Sequence, residues 1–112
     1  MDVQFAVHNR NLIVSIHGDI DHHSSALLRE KIDKELKKTE AKNIVFDFTR
    51  VGFMDSSGIG MIIGRYKAAQ EKGGTVAVAA LSGDLSRLFT MSGLHKIIKQ
   101  YKDADEASAR IG

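Results

Sequence analysis

The sequence predicts an α/β fold: one domain built on a mostly parallel mixed sheet of about five strands, opened by a hairpin and carrying about four helices. Three observations predict it. Apolar residues alternate with period two at the N-terminus, then switch to a helical period after Asp21-His22-His23-Ser24-Ser25. From there to the end, strand-like and helix-like segments take turns, which implies right-handed crossovers and parallel strands. The chain has 112 residues with no repeat, linker or low-complexity segment, the length of one core rather than two.

Val3, Phe5 and Val7 alternate with Gln4, Ala6 and His8, a first strand. Asn9-Arg10-Asn11 reads as a turn, because asparagine tolerates left-handed backbone. Leu12, Val14 and Ile16 then form the second arm of a hairpin. Leu28, Ile32 and Leu36 share one face of a helix over 24–38, with Asp21, Ser24 and Ser25 as competing N-caps. Asn43 to Phe48 is a third strand with Ile44, Phe46 and Phe48 on one face. Thr49 to Ser57 reads as a loop. Ile59, Ile62, Ile63 and Tyr66 carry a second helix from about Ser57 to Glu71, stopped by Gly73-Gly74. Thr75 to Ala80, small and β-branched, suits a strand covered on both faces. Leu85, Leu88 and Phe89 mark a short helix, Ile97-Ile98 a last short strand, and Asp103 to Ile111 a terminal helix.

Composition narrows the function. Sixteen basic and fourteen acidic residues leave a net charge of +2 with no long like-charge run, and aromatics make up only 6%. Nucleic-acid binding asks for clustered cations with stacking aromatics, so it is disfavoured. With no cysteine, disulfides and thiolate metal sites are excluded. No segment approaches the ~18 apolar residues of a membrane span. Met1-Asp2-Val3-Gln4 lacks the features of a signal peptide, so a cytoplasmic location is expected.

Chemistry concentrates in Val51-Gly52-Phe53-Met54-Asp55-Ser56-Ser57-Gly58-Ile59-Gly60, where a strand gives way to a helix. In α/β sheets, ligand sites form at the carboxyl ends of strands, and a helix N-terminus favours anions. N-capping by Asp55 and the serines is the plain reading, with Gly58, Gly60 and Gly64 permitting close helix–sheet packing. Redundancy weighs against it, since one cap needs one oxygen and here there are three in succession. Phe53 and Met54 are expected to form a partly exposed apolar collar beside the hydroxyls, a surface suited to a protein partner. A hydrolase assembled from Ser56, His22 or His23, and Asp21 lacks the Gly-x-Ser-x-Gly elbow, because residues 54–58 read Met-Asp-Ser-Ser-Gly. A metal site from Asp21, His22 and His23 lacks further ligands at suitable spacing. No phosphate-binding Gly-x-x-x-x-Gly-Lys-Ser/Thr loop is present.

Phe53 through Gly60 is very similar to the signature of STAS domains, specifically of bacterial anti-sigma factor antagonists. Ile63-Gly64-Arg65-Tyr66-Lys67 continues the match, and Gly18 through His23 and Arg87 through Leu94 resemble two further family segments. Ile59 stands where leucine is common. The resemblance spans essentially the whole chain and implies one STAS domain over residues 1–112. It further implies a regulatory binding protein, not an enzyme, acting in sporulation transcription. The unphosphorylated form binds an anti-sigma factor serine kinase and displaces the sigma factor. Phosphorylation on Ser56 inactivates it, and a serine phosphatase resets it. The residues expected to meet the partner are Asp21, Met54, Asp55, Ser56, Ser57, Gly58 and Ile59. No cofactor is expected in this chain, ATP being held by the kinase; nor is a direct nucleic-acid or membrane contact. The alternative is a STAS module of a stress-signalling complex or a nucleotide-binding module.

Overall fold

The computed structural model describes residues 2–111. The chain opens with β1 (Asp2–His8) and β2 (Asn11–His17), paired antiparallel with Phe5 opposite Val14. Then follow α1 (His22–Lys38), β3 (Asn43–Arg50), α2 (Ser56–Glu71), β4 (Val76–Ala79) and α3 (Gly83–Met91). A single 3-10 turn at Leu94–Lys96, β5 (Lys99–Tyr101) and α4 (Ala104–Ile111) complete it. The sheet order is β1-β2-β3-β4-β5, and every pairing after the hairpin is parallel. This is the mixed sheet with four α-helices that the alternation of periods predicts.

The two faces of the sheet are filled differently. Leu12, Val14, Ile16, Ile44, Phe46, Phe48 and Val78 point into the layer formed by α1, α2 and α3. There they meet Leu28, Ile32, Ile62 and Phe89, all essentially without solvent exposure. Each such side chain contributes about 1.5–3 kcal/mol by leaving water, so this layer dominates stability. The rings of Phe46 and Phe48 lie parallel with centroids 5.9 Å apart. On the other face Val45, Ala77 and Ala79 are covered by Ala107 of α4. β4 is therefore buried on both sides, as its small and β-branched composition implies.

Three expectations shift. The hairpin turn is Asn9-Arg10 alone, with Asn9 at φ 56°. Asn11 instead starts β2 and is fully buried. Its amide donates to the Ser108 carbonyl (3.1 Å) and hydroxyl (3.0 Å), while its oxygen accepts from Asn43 Nδ2 at 2.9 Å. The Asn43 oxygen accepts from the Thr75 N–H at 2.9 Å, so one buried chain of amides ties α4 to β2, β3 and the start of β4. β3 runs two residues beyond Phe48, because its backbone continues to pair with the end of β2 as far as His17 and Arg50. The last strand falls at Lys99–Tyr101 rather than at Ile97-Ile98. Ile98 is a buried anchor and Ile97 is half-exposed, both preceding the strand, whose own side chains are mostly exposed and polar.

Candidate functional site

Beyond the formal end of β2, the chain pairs once more with the loop after β3. Ile20 N–H donates to the Phe53 carbonyl at 2.9 Å, and Asp55 N–H donates to the Ile20 carbonyl at 3.0 Å, a parallel bridge between Ile20 and Met54. Gly18 reaches back to the Arg50 carbonyl at 3.1 Å with a φ of 123°, a conformation that favours glycine. Asp21 and Asp55 directly follow the two bridged residues. The N-termini of α1 and α2 are thereby fixed side by side at the carboxyl edge of the sheet.

Each aspartate caps its own helix. Asp21 Oδ1 accepts from the Ser24 N–H at 2.9 Å, and the Ser24 hydroxyl accepts from the Asp21 N–H at 2.8 Å, a reciprocal capping box. Hydrogen bonds from the Ser24 backbone and then its side chain hold the Asp21 carboxyl below the ordinary aspartate value of 3.8. Asp55 Oδ1 accepts from the Ser57 N–H at 2.9 Å, and its carbonyl accepts from the Gly58 N–H at 3.1 Å. One oxygen serves the cap of α2, and that oxygen is on Asp55. Ser56 is then the first helical residue, exposed, and its hydroxyl has no hydrogen-bond partner among the described residues. Ser57 is half-buried, its hydroxyl 3.4 Å from His22 Nδ1 of α1. The histidine thus meets Ser57, not the exposed serine, and His22 and His23 sit in the first turn of α1. Among the described residues no group of three or more His, Cys, Asp or Glu converges to hold a metal.

The apolar collar is half of what the sequence implies. Phe53 is 53% exposed, but Met54 is only 4% exposed. The Ile20 bridge imposes strand-like alternation here, sending Phe53 outward and Met54 into the core. Ile59, 8% exposed, also faces inward, and Gly58 lies against Met54 and Ile20. Of the residues expected at a partner surface, Asp21 and Ser56 are exposed and Asp55 and Ser57 half-buried. Met54, Gly58 and Ile59 form the packed support beneath them. Close packing explains only Gly58 among the glycines of α2. A Cβ on Gly60 or Gly64 meets nothing within 4 Å, although each glycine lowers helix propensity by about 1 kcal/mol relative to alanine. Sequence reasoning also missed the ion pair between Arg65 of α2 and Asp33 of α1, whose only signal was an arginine on the apolar side of its helix.

A family model for the STAS domain matches residues 2–107. With that match and the relatives below, the chain belongs to the STAS-domain family of anti-sigma factor antagonists. It is 39% identical over 111 residues to the anti-sigma F factor antagonist of Paenibacillus polymyxa, covering 99% of this chain and 95% of that protein. It is 32% identical over 98 residues to the anti-sigma-B factor antagonist of Bacillus subtilis strain 168, covering 88% of each. The unphosphorylated form of the anti-sigma factor antagonist SpoIIAA superposes with a TM-score of 0.85 at 27% identity, over 98% of this chain and 96% of that one. The phosphorylated form of the Bacillus cell fate determinant SpoIIAA superposes with a TM-score of 0.76 at 27% identity, over 99% of this chain and 100% of that one. No helix among the described residues is long and apolar enough to cross a membrane.

Proposed function

We propose that this chain is a phosphorylation-controlled partner switch. Unmodified, it binds an anti-sigma factor that is also a serine kinase and so frees the sigma factor. The Ser56 hydroxyl then attacks the γ-phosphorus of the ATP held by that kinase. The bond to the bridging oxygen breaks, ADP leaves, and the hydroxyl proton passes to a base on the kinase. A serine phosphatase restores the hydroxyl. The chain is a substrate and binding partner in this cycle, not a catalyst, and works in the cytoplasm. The 39% identity to an anti-sigma F factor antagonist, against 32% to an anti-sigma-B factor antagonist, supports the sporulation reading over the stress-signalling alternative.

The observation that carries this reading is the Ser56 side chain: exposed, unpartnered among the described residues, and released from capping by Asp55. The same placement supports a switch without refolding. A phosphoserine adds nearly two negative charges, and the first turn of a helix tolerates anions. For a carboxylate about 7 Å away, the repulsion is ~1 kcal/mol in water but ~5 kcal/mol once a partner lowers the effective dielectric to about 20. The difference falls on the complex, and ~4 kcal/mol weakens binding by several hundredfold.

Incubation with the kinase and ATP should add about 80 daltons, one phosphoryl group, to the intact mass. Ser56→Ala should bind the kinase and gain no mass; stoichiometric phosphate on that variant would place the switch elsewhere.

A further inference from the structure

Between α1 and α2 runs a groove of about 400 Å³, lined chiefly by Ser25, Arg29, Ser57, Gly60, Gly64 and Arg65. Ser56 is not part of it. His22 adds a third basic side chain at one end, and no carboxylate is among the lining residues. Arg29 has no ion-pair partner among the described residues. Arg65 is held between the helices through Nη1 by Asp33.

Two features of the groove have no use in an empty domain. Ser25 Oγ and Arg65 Nε are buried without a hydrogen-bond partner among the described residues, on residues only 6% and 8% exposed. Leaving such groups unpaired is unfavourable, and native structures rarely do so. Gly60 and Gly64 leave the floor of the groove bare, although helix packing does not require glycine at either position. Open space, two arginines, two hydroxyls and no carboxylate together describe a receptor for an acceptor-only anion. Guanidinium forks and hydroxyl donors suit tetrahedral oxyanions in particular. An apolar ligand would leave these donors unpaired, and a cation would be repelled.

We propose that the α1–α2 groove binds a small oxyanion of the phosphate class, held by Arg29, Arg65 and the hydroxyls of Ser25 and Ser57. The site is independent of the Ser56 reaction, so either reading stands if the other fails. Because Ser57 adjoins Ser56, occupancy places negative charge beside the partner-facing loop.

Inorganic phosphate titrated into the isotope-labelled full chain, at ionic strength held constant with chloride, tests it. Amide resonances of Ser25, Gly60 and Gly64 should shift saturably. Arg29→Gln should raise the half-saturating concentration about fivefold or more. Gly64→Ala should do the same while raising the thermal midpoint, an effect a purely structural glycine would not produce. Glycerol phosphate run in parallel separates the sources: tighter binding assigns an organic phosphate ester, equal binding free phosphate. Shifts that never saturate, or a half-saturating concentration unmoved by either variant, overturn the site.

Discussion

Alanine placed at each of three glycines of α2 should give effects of opposite sign. At Gly58 the new methyl group meets Met54 Cγ, lies 2.6 Å from Met54 Sδ, and is 3.0 Å from Ile20 Cγ2. The thioether is flexible, but Met54 is 4% exposed and has little room to retreat. Overpacking of this kind costs about 1–3 kcal/mol. Gly58 is in the first turn, where the helix-propensity gain is smaller than the ~1 kcal/mol of an interior site. The net expectation for Gly58→Ala is a loss of about 1–2 kcal/mol. Gly60→Ala and Gly64→Ala meet nothing within 4 Å and should each gain up to about 1 kcal/mol. For a domain of this size 1 kcal/mol moves the thermal midpoint by about 4 °C. Gly58→Ala should thus melt several degrees below wild type and the other two a few degrees above, in urea as in heat. If all three variants shift the same way, the packing of Met54 beneath the Ser56 loop is not as described.

Asp21→Asn should keep the helix cap at neutral pH while removing a source of acid sensitivity. The folded-state pKa of Asp21 lies below its unfolded value of 3.8. Its stabilising contribution is therefore complete above that value and lost as pH falls through the folded pKa. Acid unfolding of the variant should show a shallower slope in that window, and an unchanged slope would contradict the capping box. Asn11→Ala should cost about 2–3 kcal/mol, read as a lower urea midpoint, because Asn43 Nδ2 loses its buried acceptor. Phe53→Ala should leave the thermal midpoint within about 1 °C, since the ring is 53% exposed. It should weaken binding to the proposed kinase partner about tenfold in a titration calorimeter, and an unchanged affinity would remove the ring from the interface.

Period and punctuation made most of the fold legible. The change of period after Asp21-His22-His23-Ser24-Ser25 separates hairpin from helix, although α1 already starts at His22 behind its Asp21 cap rather than at 24, and Leu28, Ile32 and Leu36 identify its buried face. What periodicity cannot reveal is pairing by backbone alone. β5 is short, with exposed and largely polar side chains, held by hydrogen bonds to Ala77–Ala79, so the apolar pair just before it drew the assignment. Asn11 misled for a related reason. Asparagine is a turn residue by local preference, and only its distant partners Ser108 and Asn43 make it a core residue. At the candidate site, the motif fell where the sequence placed it, at the junction between β3 and α2. Phe53 and Met54 are equally apolar on paper, and the bridge to Ile20, more than thirty residues away in sequence, decides which one faces water.

That bridge has a consequence for recognition. A visitor touching both Asp21 and Ser56 encounters two points whose spacing is set by sheet geometry rather than by two wandering loops. It need not freeze either loop on arrival, so the entropic penalty of docking falls mainly on the visitor's own side chains. By the same token, damage at one point is felt at the other. Were Ile20 exchanged for a residue that disturbs its two backbone hydrogen bonds, Ser56 would stay chemically intact yet be presented at the wrong place.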